Sequence, residues 1–267
     1  MLKIVVCVKQ VPDTAGGVKF KPDGTLDRGA MLAIMNPDDK AGLEAALRIK
    51  DSDPDNVHVS LLTMGLPKAD DVLREGIAMG ADDGYLLTDR KLGGADTWAT
   101  SSSIAGGLKN IDYDLIITGR QAIDGDTAQV GPQIAEHLGI PVISYAKEIK
   151  CDVENKTVEV KRQFDDGYMI VKAKMPCLIT ALSELNEPRY MRPGRIFDAI
   201  DHPELVTVWG RDKLDVADDD IGKVGSPTVI AKASDKVAKG KGVVVTPESP
   251  NEAADYIVNV LSEKHVI

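Results

Sequence analysis

Two stretches of this chain crowd small residues and hydroxyls at points where a helix is expected to begin. One is Gly93-Gly94-Ala95-Asp96-Thr97-Trp98-Ala99-Thr100-Ser101-Ser102-Ser103. The other is Gly119-Arg120-Gln121-Ala122-Ile123-Asp124-Gly125-Asp126-Thr127-Ala128-Gln129. The first turn of a helix leaves backbone N–H groups without partners, and the helix dipole places partial positive charge there. With Ser and Thr hydroxyls added, such a turn makes a phosphate seat that needs no lysine. Each hydrogen bond to a charged group contributes about 1.5–3 kcal/mol. Asp96 is expected to cap its helix and not to touch phosphate, because two anions repel. In the second stretch the N–H groups of Asp126 to Ala128 are expected to face phosphate, with Gly125 allowing a positive φ or a close approach of the chain. The alternative is that Asp96 and Asp126 are plain N-caps with no ligand beside them.

Two further loops follow apolar runs. One leaves Val8 as Lys9-Gln10-Val11-Pro12-Asp13 and continues to Asn36; the other is Thr63-Met64-Gly65. Read by themselves, Cys7 is core, Met64 is filler, Trp98 packs under a helix and Asp218–Asp220 is a solvated turn.

Other chemistries find little support. Cys7, Cys151 and Cys177 form no CxxC and no even framework, so reduced thiols are expected. His58, His137, His202 and His265 lack metal-ligand spacing. No GxSxG, HExxH, GxxxxGK[ST] or GxGxxG occurs. The 32 basic residues are outnumbered by 42 acidic ones, for a net charge of −10, which argues against binding a nucleic-acid backbone. No apolar run approaches the roughly 18 residues of a membrane span. The first residues read straight into a strand and not into a signal peptide, so a cytoplasmic location without membrane insertion is expected.

The elements that must hold these loops alternate. Apolar runs at 2–8, 57–64, 84–88, 113–118 and 141–146 read as strands buried on both faces. Helices are expected from Asn36-Pro37, with Asn36 as N-cap and Asp38 and Asp39 in the first turn, and over about 68–79, 97–109 and 127–138. Gly80 and Gly139 stand at natural helix ends. This pattern predicts an α/β fold: an open parallel sheet with helices on both faces, Rossmann-like. Residues 156–163 and 168–175 alternate around Asp165-Asp166-Gly167 and read as an antiparallel hairpin. Pro176–Leu182 is another buried strand. Residues 205–250 lack sustained periodicity. A last helix over about 251–263 carries an apolar stripe that needs a covering surface. The domain division expected is 1–200, with the hairpin 156–175 and an exposed loop 183–194, followed by a C-terminal arm, 201–267.

Several motifs carry a family resemblance. Val8-Lys9-Gln10-Val11-Pro12-Asp13, Met35-Asn36-Pro37 leading into Ala45-Ala46-Leu47-Arg48-Ile49-Lys50, Gly119-Arg120-Gln121-Ala122-Ile123-Asp124 and Leu185-Asn186-Glu187-Pro188-Arg189-Tyr190 occur in order over roughly residues 1–200. So do Val160, Arg162, Asp165-Asp166-Gly167, Val171, Pro176 and Leu178-Ile179-Thr180, and later Ile221-Gly222-Lys223-Val224-Gly225-Ser226-Pro227-Thr228. Together these resemble the beta subunits of electron transfer flavoproteins. Met169 departs, standing where Glu or Gln is usual, on the hairpin surface.

The resemblance implies a partner alpha subunit that carries its own FAD, embraced by the C-terminal arm. It implies an adenine-nucleotide site at Cys7, Pro12, Asp13, Asn36, Pro37, Asp38, Asp39, Met64, Asp96, Thr97, Thr100, Gly119, Arg120, Gln121, Ala122, Ile123, Asp124, Gly125, Asp126, Thr127, Ala128, Gln129 and Val130. That reverses the core and filler readings of Cys7 and Met64. The occupant implied is a second FAD, as in the electron-bifurcating branch, with AMP as the alternative. NADH is then the electron donor, and ferredoxin or flavodoxin a low-potential acceptor. Leu185, Asn186, Glu187, Pro188, Arg189 and Tyr190 are expected to meet an FAD-dependent dehydrogenase, with Leu185 as the anchor. No side chain is expected to act as a catalytic acid or base. A stand-alone ATP-binding module on a similar fold is the rival from another class.

Overall fold

The computed structural model describes residues 1–13, 32–228 and 240–267. Most of the long loop expected between Asp13 and Asn36, and part of the aperiodic stretch after 205, lie outside the described residues. The chain divides into two units, Met1–Ile230 and Ala231–Ile267.

In the first unit the elements follow the alternation read from the sequence. Leu2–Cys7 (β1) is followed by a small antiparallel pair, Gln10–Pro12 (β2) and Ala33–Met35 (β3). Then come Pro37–Ser52 (α1), Val57–Met64 (β4), Asp70–Met79 (α2), Asp83–Leu87 (β5), Thr97–Leu108 (α3), Leu115–Gly119 (β6) and Val130–Leu138 (α4). Val142–Asp152 (β7), Thr157–Phe164 (β8), Gly167–Lys174 (β9), Cys177–Ala181 (β10), Pro193–Asp201 (α5) and Val206–Trp209 (β11) complete it. The large sheet has the order β11-β5-β4-β1-β6-β10-β7-β8-β9, parallel from β11 to β7 and antiparallel in the last two strands.

Strand alternation divides the core between two helical layers. Leu2, Ile4, Val6, Leu61, Ile117 and Ile179 pack with Leu43 and Leu47 of α1 and Leu73 and Ile77 of α2. Val5, Cys7, Leu62, Ile116 and Leu178 pack with Ile104 and Leu108 of α3 and Ile134 of α4 on the other face. A sheet covered on both sides needs apolar residues at every position, and the strands are continuous apolar runs for that reason. Gly139 ends α4 in the left-handed conformation at φ 65°, as expected of a C′ glycine.

Three features differ from expectation. The hairpin extends the main sheet: β7 runs on to Asp152 and pairs with β8. β10 inserts between β6 and β7. Residues 201–228, grouped from the sequence with the arm, belong to the first unit, where β11 adds an edge strand beside β5 and Leu214 and Ile221 are buried against α3 and its neighbours. The second unit contains Pro250–Glu263 (α6), capped by Ser249, whose side chain accepts from the Glu252 N–H. Tyr256, Ile257 and Val258 on α6 are exposed. No helix among the described residues is long and apolar enough to cross a membrane.

Candidate functional site

β1 lies between β4 and β6, where the order of the sheet reverses, so the crevice beyond the carboxyl ends of β1 and β6 is the topological switch point. The first turn of α1 closes one side of it. Asn36 is fully buried and stands at the N-cap of α1, as expected, but its side chain makes no helix-capping bond. Its Nδ2 instead donates to the Gln121 carbonyl at 2.8 Å, and its Oδ1 accepts the Ile123 N–H at 3.1 Å. An amide carries both a donor and an acceptor, so one side chain satisfies two backbone groups of the loop after β6. Pro37 takes the first helical position, where its missing N–H costs nothing.

Asp38 and Asp39 follow, both buried. Asp39 accepts the N–H groups of Lys9 at 2.8 Å and Gly119 at 2.9 Å. Burial pushes its carboxyl up to about 7, against the hydrogen bonds that favour the charged form. Burial also raises Asp38, opposed by Arg120, whose Nε lies 3.4 Å from Asp38 Oδ2. Neither of those two atoms has a hydrogen-bond partner among the described residues, although both are buried. Buried polar groups are nearly always paired, so this pair is suited to receive polar groups of a ligand. Arg120 is itself fixed by its N–H, which donates to the Ala181 carbonyl at 2.8 Å.

The loop from Gln121 to Gln129 is largely exposed. Asp126 (φ 57°) and Ala128 (φ 53°) occupy the left-handed region, which costs an L-residue about 1–2 kcal/mol. Gly125 does not, and a Cβ built there meets nothing within 4 Å, so the expectation for Gly125 is corrected. The Asp126 N–H is also not free for phosphate: it donates to the Ala122 carbonyl at 2.9 Å, while the Asp126 carboxylate accepts from Gln121 Nε2. Thr127 and Ala128 keep their N–H groups without such a partner among the described residues. The helix expected from 127 starts at Val130. Asp124 is held by Lys9 Nζ at 2.7 Å.

Asp96 caps α3, as expected: its Oδ1 accepts the Ala99 N–H at 3.0 Å. Its Oδ2 accepts the Thr228 N–H at 3.0 Å, and its own N–H donates to Ser226 Oγ at 2.9 Å. Burial works against its charge, but the bonds from Ala99 and Thr228 hold Asp96 below the usual carboxylate range. Ser226 and Thr228 were missed in the sequence because they reach this turn from 130 residues away. Thr97 Oγ1 donates to Gln129 Oε1 at 2.9 Å and so joins the two hydroxyl-rich loops. Thr100 lies half-buried in the first turn of α3, and Val130 opens α4. Cys7 is buried and Met64 half-buried on the α3 face; burial raises the Cys7 thiol and keeps it protonated. Pro12 and Asp13 belong to the β2–β3 side, where Pro12 pairs with Ala33 and the Asp13 N–H donates to the Leu32 carbonyl.

The expected partner loop is anchored to α1. Leu185 is half-buried, not exposed, and lines a groove of about 460 Å³ with Ala45, Ile49 and Ile149. Asn186 Nδ2 donates to the Ala41 carbonyl. Arg189 binds buried Glu44 through its N–H, Nε and a terminal nitrogen, and Asp51 at 2.7 Å. Glu187 is exposed, Pro188 is half-buried and Tyr190 is 95% exposed.

An open, mostly parallel sheet with a switch point between β1 and β6 and helices on both faces defines a Rossmann-like α/β protein. The sequence profile described as "Electron transfer flavoprotein domain" matches residues 23–202. A "Caffeyl-CoA reductase-Etf complex subunit CarD" from Acetobacterium woodii is 48% identical over 268 residues, covering all of both chains. An "Electron transfer flavoprotein subunit beta" from Clostridium acetobutylicum is 49% identical over 267 residues, again covering all of both. An "Acryloyl-CoA reductase electron transfer subunit gamma" from Anaerotignum propionicum is 46% identical over 272 residues, with the same full coverage. The chain belongs to the electron transfer flavoprotein family, as a beta-subunit member.

Proposed function

We propose that this chain holds an FAD at the switch-point crevice and relays electrons from NADH to the FAD of an alpha subunit, and from there to an acyl-CoA or hydroxy-acid dehydrogenase. The observation that carries the reading is the switch-point crevice beyond β1 and β6, bordered by the first turn of α1 and by the Asp38–Arg120 ion pair, whose facing Oδ2 and Nε atoms lack hydrogen-bond partners among the described residues. That set fits a phosphate-bearing adenine nucleotide. The N–H groups of Thr127 and Ala128 and the first turn of α3 receive phosphate, and the buried Asp38–Arg120 pair meets the nucleotide's polar groups. The left-handed residues Asp126 and Ala128 turn the loop so that its backbone faces the crevice. Cys7 and Met64 supply an apolar wall on the α3 side. The flavin, when bound, supplies the two-electron to one-electron chemistry; the protein contributes binding, orientation and electrostatics.

The names of the relatives from caffeyl-CoA and acryloyl-CoA reductase systems favour an acyl-CoA reductase as destination. In this reading ferredoxin or flavodoxin takes the second electron. Leu185 and Tyr190, beside the segment fixed by Arg189, form the contact with that dehydrogenase. The C-terminal unit with α6 embraces the alpha subunit. Purification with the co-expressed alpha subunit, followed by cofactor extraction, tests the reading. Two FADs per heterodimer are expected. One FAD and one AMP would make the chain a structural AMP holder, and a stable flavin-free monomer that binds ATP would overturn the family role.

A further inference from the structure

β1 and β6 pair as far as Val6 and Ile117 and no further, although the strands run on to Cys7 and Gly119. Past that point neither strand can serve the other as hydrogen-bond partner, and a buried N–H left there would be costly. Asp39 fills the split. One carboxylate oxygen takes the Lys9 N–H from the β1 side and the other takes the Gly119 N–H from the β6 side. The carboxylate occupies the space of a Gly119 side chain: a Cβ there would lie 2.2 Å from Asp39 Oδ1, so position 119 must be glycine.

We propose that Asp39 is a positioning residue of the nucleotide site: its carboxylate bridges the diverging ends of β1 and β6, sets their spacing, and so governs how tightly an adenine nucleotide is held between them. This rests on the reading that the nucleotide lies in this crevice, and it gives Asp39 no contact with the ligand.

Besides the two backbone N–H groups, the Asn36 side chain also hydrogen-bonds the carboxylate; all three bonds favour its charged form, so protonation weakens the bridge. The ionisable groups around Asp39 are Asp38 on its own helix, Cys7 and Lys9 at the end of β1, and Arg120 after β6. The two cations among them are engaged elsewhere, Lys9 with Asp124 at 2.7 Å and Arg120 beside Asp38 at 3.4 Å. Burial raises the Asp39 carboxyl to about 7, so the bridge opens within the range of ordinary buffers. Affinity scales with the fraction of protein in the binding-competent form.

The test uses the full chain co-purified with its alpha subunit, freed of nucleotide, with FAD and then AMP as probes. Titrations run from about pH 8.5 to about pH 6. Wild-type affinity is expected to fall about tenfold over that interval. Asp39→Asn, which sets an amide N–H₂ against a backbone N–H, is expected to bind about tenfold or more weakly at the alkaline end and to show no pH dependence. A variant with wild-type affinity and wild-type pH dependence overturns the proposal. So does a variant that only melts earlier with the pH slope retained, since that is a merely structural role. If the variant does not fold, the wild type decides alone, and a flat profile refutes the bridge while leaving the nucleotide site standing. A wild type that binds neither probe overturns both.

Discussion

Asp126 and Ala128 hold the left-handed conformation without being glycine, and they do so on the loop between β6 and α4. Replacing Ala128 with glycine removes the steric cost of that conformation, offset in part by the entropy of glycine. Ala128→Gly should therefore stabilise the nucleotide-free protein by about 0.5–1 kcal/mol in urea unfolding. A destabilised variant would show that the turn is relaxed. This feature was not legible in the sequence. Gly125 drew attention because glycine is the residue type that most strongly announces a positive φ; Asp takes it less often and Ala rarely. Asn36 misled for a related reason: its amide suits an N-cap, but a loop 85 residues away competes for the same hydrogen bonds. The Asp96 cap was legible because its partner lies three residues on.

At the scale of elements, α1 is held from both ends. Its buried Glu44 accepts from Arg48 and Arg189, and these bonds hold its carboxyl below the usual range against burial. Arg189→Ala leaves that carboxylate with one cation and should cost about 2–3 kcal/mol by denaturant unfolding. An unchanged midpoint would show that Arg48 suffices. At the opposite edge of the sheet His58 joins Asp83 at 3.0 Å and Asp82 at 3.5 Å, tying β4 to the start of β5. The bond to Asp83 raises the His58 pKa. A raised folded pKa means that the stabilisation is complete below the unfolded value, about 6.5, and is lost as pH rises through the folded value. His58→Asn should therefore lower Tm more at about pH 6 than at about pH 8.5; equal losses at both would contradict the assignment. The alternating helices and strands were legible from periodicity, because each pattern is local. The place of β10 between β6 and β7, and the pairing of β11 with β5, were not, because strand order depends on contacts far apart in sequence.

Across the whole molecule, the first unit runs past the 200–201 boundary expected from the sequence. Leu214 and Ile221 are buried in it, although the surrounding sequence shows no periodicity that would reveal this. A chain ending after Thr228 should keep the first unit folded and lose alpha-subunit pairing. A chain ending after Gly210 should lose a further 3–6 kcal/mol or so from the two buried side chains. Equal stability of the two truncations would contradict this division. In the proposed function an adenine nucleotide sits beyond the ends of β1 and β6. Hydrogen exchange of the heterodimer with and without bound FAD in the beta chain tests it most directly. Slowed exchange is predicted for the amides of Thr97 to Thr100 and of Gln121 to Val130, above all Thr127 and Ala128, with no change around His58 at the far edge. Unaltered exchange in both loops, with protection appearing elsewhere on the chain, would contradict the account.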